Sequence, residues 1–135
     1  MKETEKVLKK KLLIVEDNQD SRELVIKILR NRDYQLIEAV DGEDGLEKAI
    51  AEQPDIILLD ISLPKMGGYE VAENLRLREE FKYTPIIALT AHAMKGDEEK
   101  ALHGGFSGYI SKPINVRELP GQIEKYVEGG RYKVE

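Results

Sequence analysis

The chain has 135 residues, a formal net charge of -5 and no cysteine. This length suits one domain and is too short for a second, output domain. The absence of cysteine excludes disulfides, thiolate nucleophiles and Cys-ligated metals. A general nucleic-acid binder needs a clustered basic surface, so the net negative charge argues against that class. With no long apolar run and no signal-peptide segment, we expect a soluble cytoplasmic protein without membrane insertion.

The first eleven residues are basic, with five Lys and two Glu. We interpret residues 1–10 as a solvated N-terminal arm, since chain termini commonly fray. The folded domain is expected over residues 11–128. The Gly129-Gly130 pair is predicted to end the last helix and to begin a C-terminal tail, residues 129–135.

Five short apolar runs predict β-strands, and a helical pattern follows each. The predicted strands cover residues 11–15, 34–40, 55–60, 85–90 and 108–110; the predicted helices begin after Asn18, at Gly42, at Gly68, at Asp97 and after Asn115. The run 55–60 contains four consecutive Ile and Leu residues, which is typical of a strand buried on both faces. Strands that alternate with helices indicate βαβ units and a three-layer α/β sandwich.

Two predicted helices carry local irregularities. The third is expected to run from Gly68 to about Glu80, with a weak cap because Gly67 precedes it. In the last helix, Pro120-Gly121 predicts a kink or an irregular turn, because proline lacks the backbone donor and glycine adds an entropic cost. The apolar side of this last helix is predicted to consist of Val116, Leu119, Ile123, Tyr126 and Val127.

Polar residues stand at the ends of four predicted strands: Glu16 and Asp17, Asp60, Thr90, and Lys112. Parallel strands bring their carboxyl ends to one edge of the sheet, so we expect these side chains to converge there. Three carboxylates at close range repel one another and require a cation. An oxygen-only ligand set with room for water suits Mg²⁺.

The same group of residues has the chemistry of a phosphoryl acceptor. Asp60 beside Mg²⁺ can act as a nucleophile toward a phosphoryl group. Because the transferring group resembles metaphosphate, catalysis is mostly positioning and charge neutralisation, which the Lys112 ammonium and the Thr90 hydroxyl can supply. The product would be an aspartyl phosphate.

Four motifs make the chain similar to a response-regulator receiver domain of two-component signalling, of the stand-alone, chemotaxis-regulator-like type. They are LLIVEDN, DIILLDISLPKMGGYEVAENLR, PIIALTAHAMKGDEEKAL and GYISKPINVREL, within residues 11–127. The resemblance implies a flavodoxin-like (βα)5 fold with a five-stranded parallel sheet in the order 2-1-3-4-5. It also implies a switch in a phosphorelay that catalyses only its own phosphorylation and dephosphorylation, and is therefore not an enzyme with an external substrate.

The resemblance assigns roles to the residues at the strand ends. It implies Asp60 as the phosphoacceptor, Asp17 as a direct Mg²⁺ ligand and Glu16 as a ligand acting through water. The Ser62 backbone carbonyl would be a further metal ligand. Thr90 and Lys112 would contact the phosphoryl group, and the peptide bond between Lys112 and Pro113 would be cis.

The resemblance further implies a conformational switch and its partners. Phosphorylation is expected to draw Thr90 inward and to move Tyr109 from exposed to buried, which would reshape the face of the fourth helix, fifth strand and fifth helix. A histidine kinase or a histidine phosphotransfer protein would donate the phosphoryl group, and a downstream protein would bind the reshaped face of a monomer or weak dimer. We also hypothesise that Ser62 and His92 tune the phosphoryl lifetime, whereas His103 is expected on the outer face of a helix.

Simpler explanations exist for each residue taken alone. An acidic pair can be a solvated loop, a lone Asp can be a cap, and Tyr109 can belong to the core. Two other functions are conceivable: a haloacid-dehalogenase-like phosphohydrolase, whose second acid is replaced here by Ser62, and a binding module independent of phosphorylation. A receiver fragment of a hybrid histidine kinase is a further alternative. The joint placement of these residues at four strand ends favours the receiver.

Overall fold

A computed structural model describes residues 9–91 and 97–132 of the protein, with side chains described over 9–91 and 99–127. Strands and helices alternate along the chain, as predicted. Their bounds are β1 (Lys10–Val15), α1 (Gln19–Leu29), β2 (Tyr34–Ala39), α2 (Gly42–Glu52), β3 (Ile56–Asp60), α3 (Gly68–Arg76), a 3-10 helix (Glu79–Phe81), β4 (Ile86–Thr90), α4 (Asp97–His103), β5 (Gly108–Ser111) and α5 (Leu119–Tyr132).

The five strands form one parallel sheet in the order β2-β1-β3-β4-β5, which confirms the predicted flavodoxin-like topology. β3 lies at the centre, and all five of its residues are buried. Val15 pairs with Leu59, and Asp60 pairs with Leu89, so β1, β3 and β4 end at the same edge of the sheet.

Helices cover both faces of the sheet, and successive β3 residues alternate between the two resulting cores. Ile57 and Leu59 belong to the core beneath α2, α3 and α4, and Ile56 and Leu58 belong to the core beneath α1 and α5. Burying each such side chain contributes about 1.5 to 3 kcal/mol. A strand apolar on both sides is therefore stable only at the centre of a three-layer sandwich, which explains its position.

The third helix is shorter than predicted. α3 ends at Arg76, Arg78 is extended, and the chain forms a 3-10 turn over Glu79–Phe81. This break lets the Phe81 ring enter the core, where it is only 1% exposed. The free energy gained by burying the Phe81 ring is larger than the free energy that continuation of the helix to Glu80 would contribute.

The irregular turn predicted at Pro120-Gly121 lies elsewhere: the turn covers residues 116–118, and α5 begins at Leu119, later than predicted, and continues through Pro120 and Gly121. The Asn115 carboxamide oxygen accepts from the amides of Arg117 (3.0 Å) and Glu118 (3.1 Å). Pro120 then lies in the first turn of α5, where a missing amide costs little. Val116 is 56% exposed, so its predicted place on the apolar side was wrong.

Each strand differs from its predicted range by one residue at one end, and the last helix ends later than predicted. α5 continues through Gly129-Gly130 to Tyr132, because glycine lowers helix propensity without removing a backbone donor. β2 ends one residue before Val40, whose amide instead donates to the Asp44 carboxylate at 3.0 Å. Across residues 9–91 and 97–132, every helix is too short or too polar to cross a bilayer.

Candidate functional site

Three carboxylates meet where β1 and β3 end. Glu16, Asp17 and Asp60 each offer an oxygen, and these oxygens lie within 4.8 Å of one another. Glu16 is 1% exposed and Asp60 is 5% exposed, whereas Asp17 is open to solvent. β1 and β3 are adjacent and in parallel register, which is why residues far apart in sequence form one cluster.

Lys112 joins the cluster from the other side. Its ammonium lies 2.7 Å from Glu16 Oε1 and 2.8 Å from Asp60 Oδ2. The Lys112 amide donates to the Thr90 carbonyl at 2.7 Å, which fixes the residue at the end of β5. The peptide bond between Lys112 and Pro113 is cis, as the sequence resemblance implied.

The two buried carboxyls of the cluster, Glu16 and Asp60, have pKa values shifted in opposite directions. Burial, together with the Asp60 carboxyl beside it, raises the pKa of Glu16 to about 7. Burial alone would also raise the pKa of Asp60, but hydrogen bonds from Glu16, Lys112 and the Ser62 amide hold that pKa below its usual value. Asp60 is therefore the carboxyl kept ionised, as a nucleophile requires.

Backbone contacts orient both inner carboxyls. The Ser62 amide donates to Asp60 Oδ1 at 2.8 Å, and the Asn18 amide donates to Glu16 Oε2 at 3.1 Å. Arg22, which the sequence analysis did not single out, donates to the Glu16 carbonyl oxygen at 2.8 Å and to Glu38 at 3.0 Å. Its position one turn into α1 carries no sequence signal for this role.

Thr90 and Tyr109 border a cavity of about 140 Å³ that is also lined by Ile61 and Ser62, the two residues after Asp60. Thr90 is 7% exposed, and Tyr109 is half-buried and packs on the core instead of being exposed as expected. Tyr69, an unpredicted member of this cavity, packs edge to face on Phe106 with ring centres 5.5 Å apart. Larger cavities of about 360 and 540 Å³ lie at the opposite edge of the sheet, where both contact Lys10 and Val127.

The two histidines do not form part of the described site. His103 is exposed on α4, as predicted. His92, expected to tune the phosphoryl lifetime, lies outside the described residues. Ser62 is exposed and lines the cavity next to Thr90.

The donor set fits a hard divalent cation. All three clustered side chains offer carboxylate oxygens, and one of them, Asp17, faces solvent, from which an ion and its waters can enter. A flavodoxin-like sheet with a carboxylate cluster and a lysine at its carboxyl edge is the arrangement of a metal-dependent phosphoryl-acceptor domain.

Comparison with known proteins agrees with this class. The sequence matches the response regulator receiver domain family over residues 12–124. The polar-differentiation response regulator DivK of Brucella ovis is 42% identical over 118 residues, which cover 87% of this chain and 96% of the relative. The chain therefore belongs to the response regulator receiver domains, which are signalling domains and not enzymes with an external substrate.

Solved structures show the same fold. The chemotaxis response regulator CheY4 of Vibrio cholerae superposes with a TM-score of 0.83 at 29% identity, covering 87% of this chain and 98% of that one. The receiver domain of a sensor histidine kinase from Pseudomonas aeruginosa, solved with a magnesium ion coordinated in its active site cleft, superposes with a TM-score of 0.81 at 32% identity, covering 89% and 98%. These matches give no support to the phosphohydrolase alternative.

Proposed function

We propose that Asp60 accepts a phosphoryl group from a phosphohistidine of a histidine kinase or a histidine phosphotransfer protein. The observation that carries this proposal is the environment of its carboxylate. Oδ1 accepts from the Ser62 amide and Oδ2 from the Lys112 ammonium, both at 2.8 Å, and these bonds keep Asp60 ionised at an open edge of the sheet. A buried carboxylate with these partners is a nucleophile ready for transfer.

The transfer forms one bond and breaks one bond. An Asp60 carboxylate oxygen attacks phosphorus, the bond between phosphorus and the donor imidazole nitrogen breaks, and the bonding electron pair stays on that nitrogen. Lys112, whose ammonium lies 2.8 Å from Asp60 Oδ2, would contact the phosphoryl oxygens, and the Thr90 hydroxyl would be the second contact from this chain. Attack by water on phosphorus later returns the carboxylate and releases inorganic phosphate.

The proposed metal is Mg²⁺, held by carboxylate oxygens of Asp17 and Asp60, by Glu16 through water, and by the Ser62 backbone carbonyl. The oxygen-only cluster within 4.8 Å supports this choice. When bound, the ion neutralises negative charge on the transferring oxygens.

We further propose that phosphorylation moves Thr90 and Tyr109 and so changes the face formed by α4, β5 and α5. The cavity of about 140 Å³ that both side chains line offers space for this movement. Leu102 on α4 and Val116 before α5 are exposed apolar residues that a downstream protein can cover. A cytoplasmic monomer or weak dimer accords with this role.

The phosphoryl lifetime is a separate part of the proposal. Ser62 and His92 are proposed to control the access of hydrolytic water to the aspartyl phosphate, and Ser62 lines the cavity beside Thr90. We expect Ser62→Ala and His92→Ala each to change the dephosphorylation rate. This rate is measured as the loss of the phosphoryl mass over time. Rates equal to that of the native protein would end this part of the proposal.

Intact mass after incubation with acetyl phosphate and Mg²⁺ tests the central claim. The native protein is expected to gain one phosphoryl group, about 80 Da. Asp60→Asn and an EDTA control should show no gain. A folded native protein that gains no mass would refute the proposal.

A further inference from the structure

The loop from Ile61 to Gly67, which follows the proposed phosphoacceptor, is closed by its own backbone. The Gly68 amide donates to the Ile61 carbonyl at 3.1 Å, and the Met66 amide donates to the Pro64 carbonyl at 2.8 Å. This loop carries Ser62, whose amide holds Asp60 Oδ1. Any shift of the loop therefore changes the geometry around the Asp60 carboxylate.

Lys65 gives the loop an unfavourable backbone conformation. Its φ is 68°, in the left-handed region that side chains other than glycine rarely adopt. Strained residues persist where the surroundings determine them, so something outside Lys65 must hold this turn. The Lys65 ammonium lies 3.5 Å from Asp41 Oδ2 at the start of α2.

The backbone of the loop also rests directly on α2. A Cβ atom added at Gly42 would lie 1.9 Å from the Met66 carbonyl oxygen, so no other residue fits there without moving the loop. This contact is between backbone and backbone. Unlike a contact with a flexible side chain, it cannot relax by a rotamer change.

The α2 corner is itself rigidly built. Asp41 Oδ1 accepts from the Asp44 amide at 2.8 Å, and Asp44 Oδ2 accepts from the Val40 amide at 3.0 Å. These reciprocal caps satisfy backbone donors at the start of the helix. The start of α2 is therefore held by its own hydrogen bonds. A clash at Gly42 would accordingly displace the loop 61–67.

We propose that the Asp41-Gly42 corner is a positioning element for the loop 61–67, acting through the Met66 carbonyl and Lys65. It holds the Ser62 amide, and with it the Ser62 carbonyl, in the place that metal and phosphoryl binding require. The effect on metal and phosphoryl binding rests on the proposed function, whereas the contacts between the corner and the loop do not. Asp41 and Gly42 touch no reacting atom, so their effect passes through the loop.

The main test compares Gly42→Ala with Gly45→Ala. Both add a methyl group to α2, but at Gly45 the new Cβ would meet Val15 Cγ1 at 2.7 Å and not the loop. For Gly42→Ala we expect faster amide hydrogen exchange at Ser62 and Gly68 in the metal-free protein. We also expect a Mg²⁺ dissociation constant raised about tenfold or more by calorimetry, because loss of the contacts that orient a metal's ligands typically costs about 10- to 100-fold in metal affinity. Gly45→Ala should change the exchange of the Ser62 and Gly68 amides less than about twofold, even where urea shows comparable destabilisation. Exchange is the readout for this pair, because Val15 directly precedes Glu16 and Asp17.

A second pair of variants removes the ion pair without disturbing the caps. Asp41→Asn keeps a good N-cap but loses the charge that faces Lys65, whereas Asp44→Asn removes the same charge from the same helical turn without touching Lys65. Because Lys65 is exposed, we expect Asp41→Asn to weaken Mg²⁺ binding by no more than about fivefold. Asp44→Asn is expected to weaken it less. If Gly42→Ala fails to fold, this pair of variants tests the positioning role of the corner.

The outcomes separate this inference from the proposed function. Equal Ser62 exchange in Gly42→Ala and Gly45→Ala would overturn the positioning role. Where Gly42→Ala does not fold, equal Mg²⁺ affinity in Asp41→Asn and Asp44→Asn would overturn it. A native protein that binds no Mg²⁺ and gains no phosphoryl group would overturn the proposed function instead. The exchange comparison would still test the corner in that case.

Discussion

Glu16 and Asp60 share one lysine, yet their pKa values are shifted in opposite directions. Glu16 is the more buried of the two, and burial beside a second carboxyl raises its pKa to about 7. The pKa of Asp60 lies below its usual value because Glu16, Lys112 and the Ser62 amide stabilise its ionised form, although burial acts in the opposite direction. Burial alone would lower the pKa of Lys112, but its hydrogen bonds with Asp60 and Glu16 raise that pKa above its usual value.

Replacing Glu16 by Gln should change the pH dependence of stability in EDTA. The folded protein holds the Glu16 proton more tightly than the unfolded chain, whose glutamate has a pKa near 4.5, so stability falls as the pH rises from about 4.5 to 7. Glutamine cannot ionise. We therefore expect the free energy of unfolding of Glu16→Gln to rise relative to the native protein over this interval, by on the order of 2 kcal/mol.

Urea unfolding at several pH values measures this difference. Parallel curves for the two proteins between pH 4.5 and 7 would contradict the raised pKa of Glu16. Asp60 contributes in the opposite sense and at lower pH, because its lowered pKa adds stability that is lost on acidification.

Arg76 makes a different kind of buried contact, since its described hydrogen bonds go to uncharged oxygens. Its guanidinium donates to the carbonyls of Gly105 (2.9 Å), Phe81 (2.6 Å) and Thr84 (2.7 Å), and to Ser107 Oγ (3.2 Å). Arg76→Met would remove all four bonds; the Phe81 carbonyl would keep the Thr84 amide and Ser107 Oγ the Ile86 amide, whereas the carbonyls of Gly105 and Thr84 would lose their described partner. We expect the free energy of unfolding to fall by about 3 kcal/mol in urea, since each unsatisfied buried group costs about 1 to 3 kcal/mol.

Arg78→Met is the matched control for this change. The Arg78 side chain is 40% exposed, and its closest carboxylate contact is at 3.9 Å. Its replacement should cost less than about 0.5 kcal/mol. Similar losses for the two variants would show that the Arg76 hydrogen bonds contribute no particular stability.

Helix α3 begins without a side-chain cap, as its Gly67 residue led us to expect. Gly67 has φ -68° and ψ 162°, which any residue can adopt, and a Cβ there would meet only the Ile61 carbonyl at 4.0 Å. Gly67→Asp should therefore supply the missing acceptor. We expect it to be more stable than Gly67→Ala by about 1 kcal/mol in urea with EDTA.

The comparison with alanine isolates the cap, because both substitutions restrict the unfolded chain to a similar extent. Equal stability of the two variants would mean that the amides at the start of α3 gain nothing from a side-chain acceptor. An equal gain in both variants over the native protein would report the backbone effect alone.

Element positions followed closely from local patterns, and the exceptions have identifiable causes. The apolar run of β3 and the helix starts predicted after Asn18 and at Gly42 correctly marked where elements lie. The end of α3 was predicted wrongly because Phe81 packs in the core, a long-range gain that helical periodicity does not contain. The prediction for Val116 failed because the chain turns before α5 begins.

Metal binding should stabilise the whole molecule, because the carboxylate cluster exists only when β1 and β3 are paired. At a Mg²⁺ concentration a hundredfold above its dissociation constant, we expect the free energy of unfolding to rise by about 2.7 kcal/mol. Asp17→Asn should lose most of this gain in stability, because Asp17 is proposed to bind the ion directly and is the carboxylate of the cluster that is exposed to solvent.

Urea unfolding with Mg²⁺ and with EDTA checks both expectations. In EDTA, Asp17→Asn should be at least as stable as the native protein, since the substitution removes one of three mutually repelling carboxylates. An equal Mg²⁺ effect in both proteins would place the ion elsewhere.

The candidate site was predictable in composition but not in detail. Sequence patterns located Glu16, Asp17, Asp60, Thr90 and Lys112 at strand ends, and parallel topology implied that they converge. The sequence did not indicate that Lys112 bridges Glu16 and Asp60. It also contained no sign that Arg22 supports the Glu16 backbone.

The amino-acid sequence by itself determined where strands and helices form and which polar groups end the strands, because apolar periodicity and capping act between residues close in the chain. Tertiary structure alone decided which inner carboxyl stays ionised, how far Tyr109 is buried, and that the loop after Asp60 rests on Gly42. Those properties depend on burial and on distances between segments remote in sequence. They exist only once the sheet and both helix layers have packed.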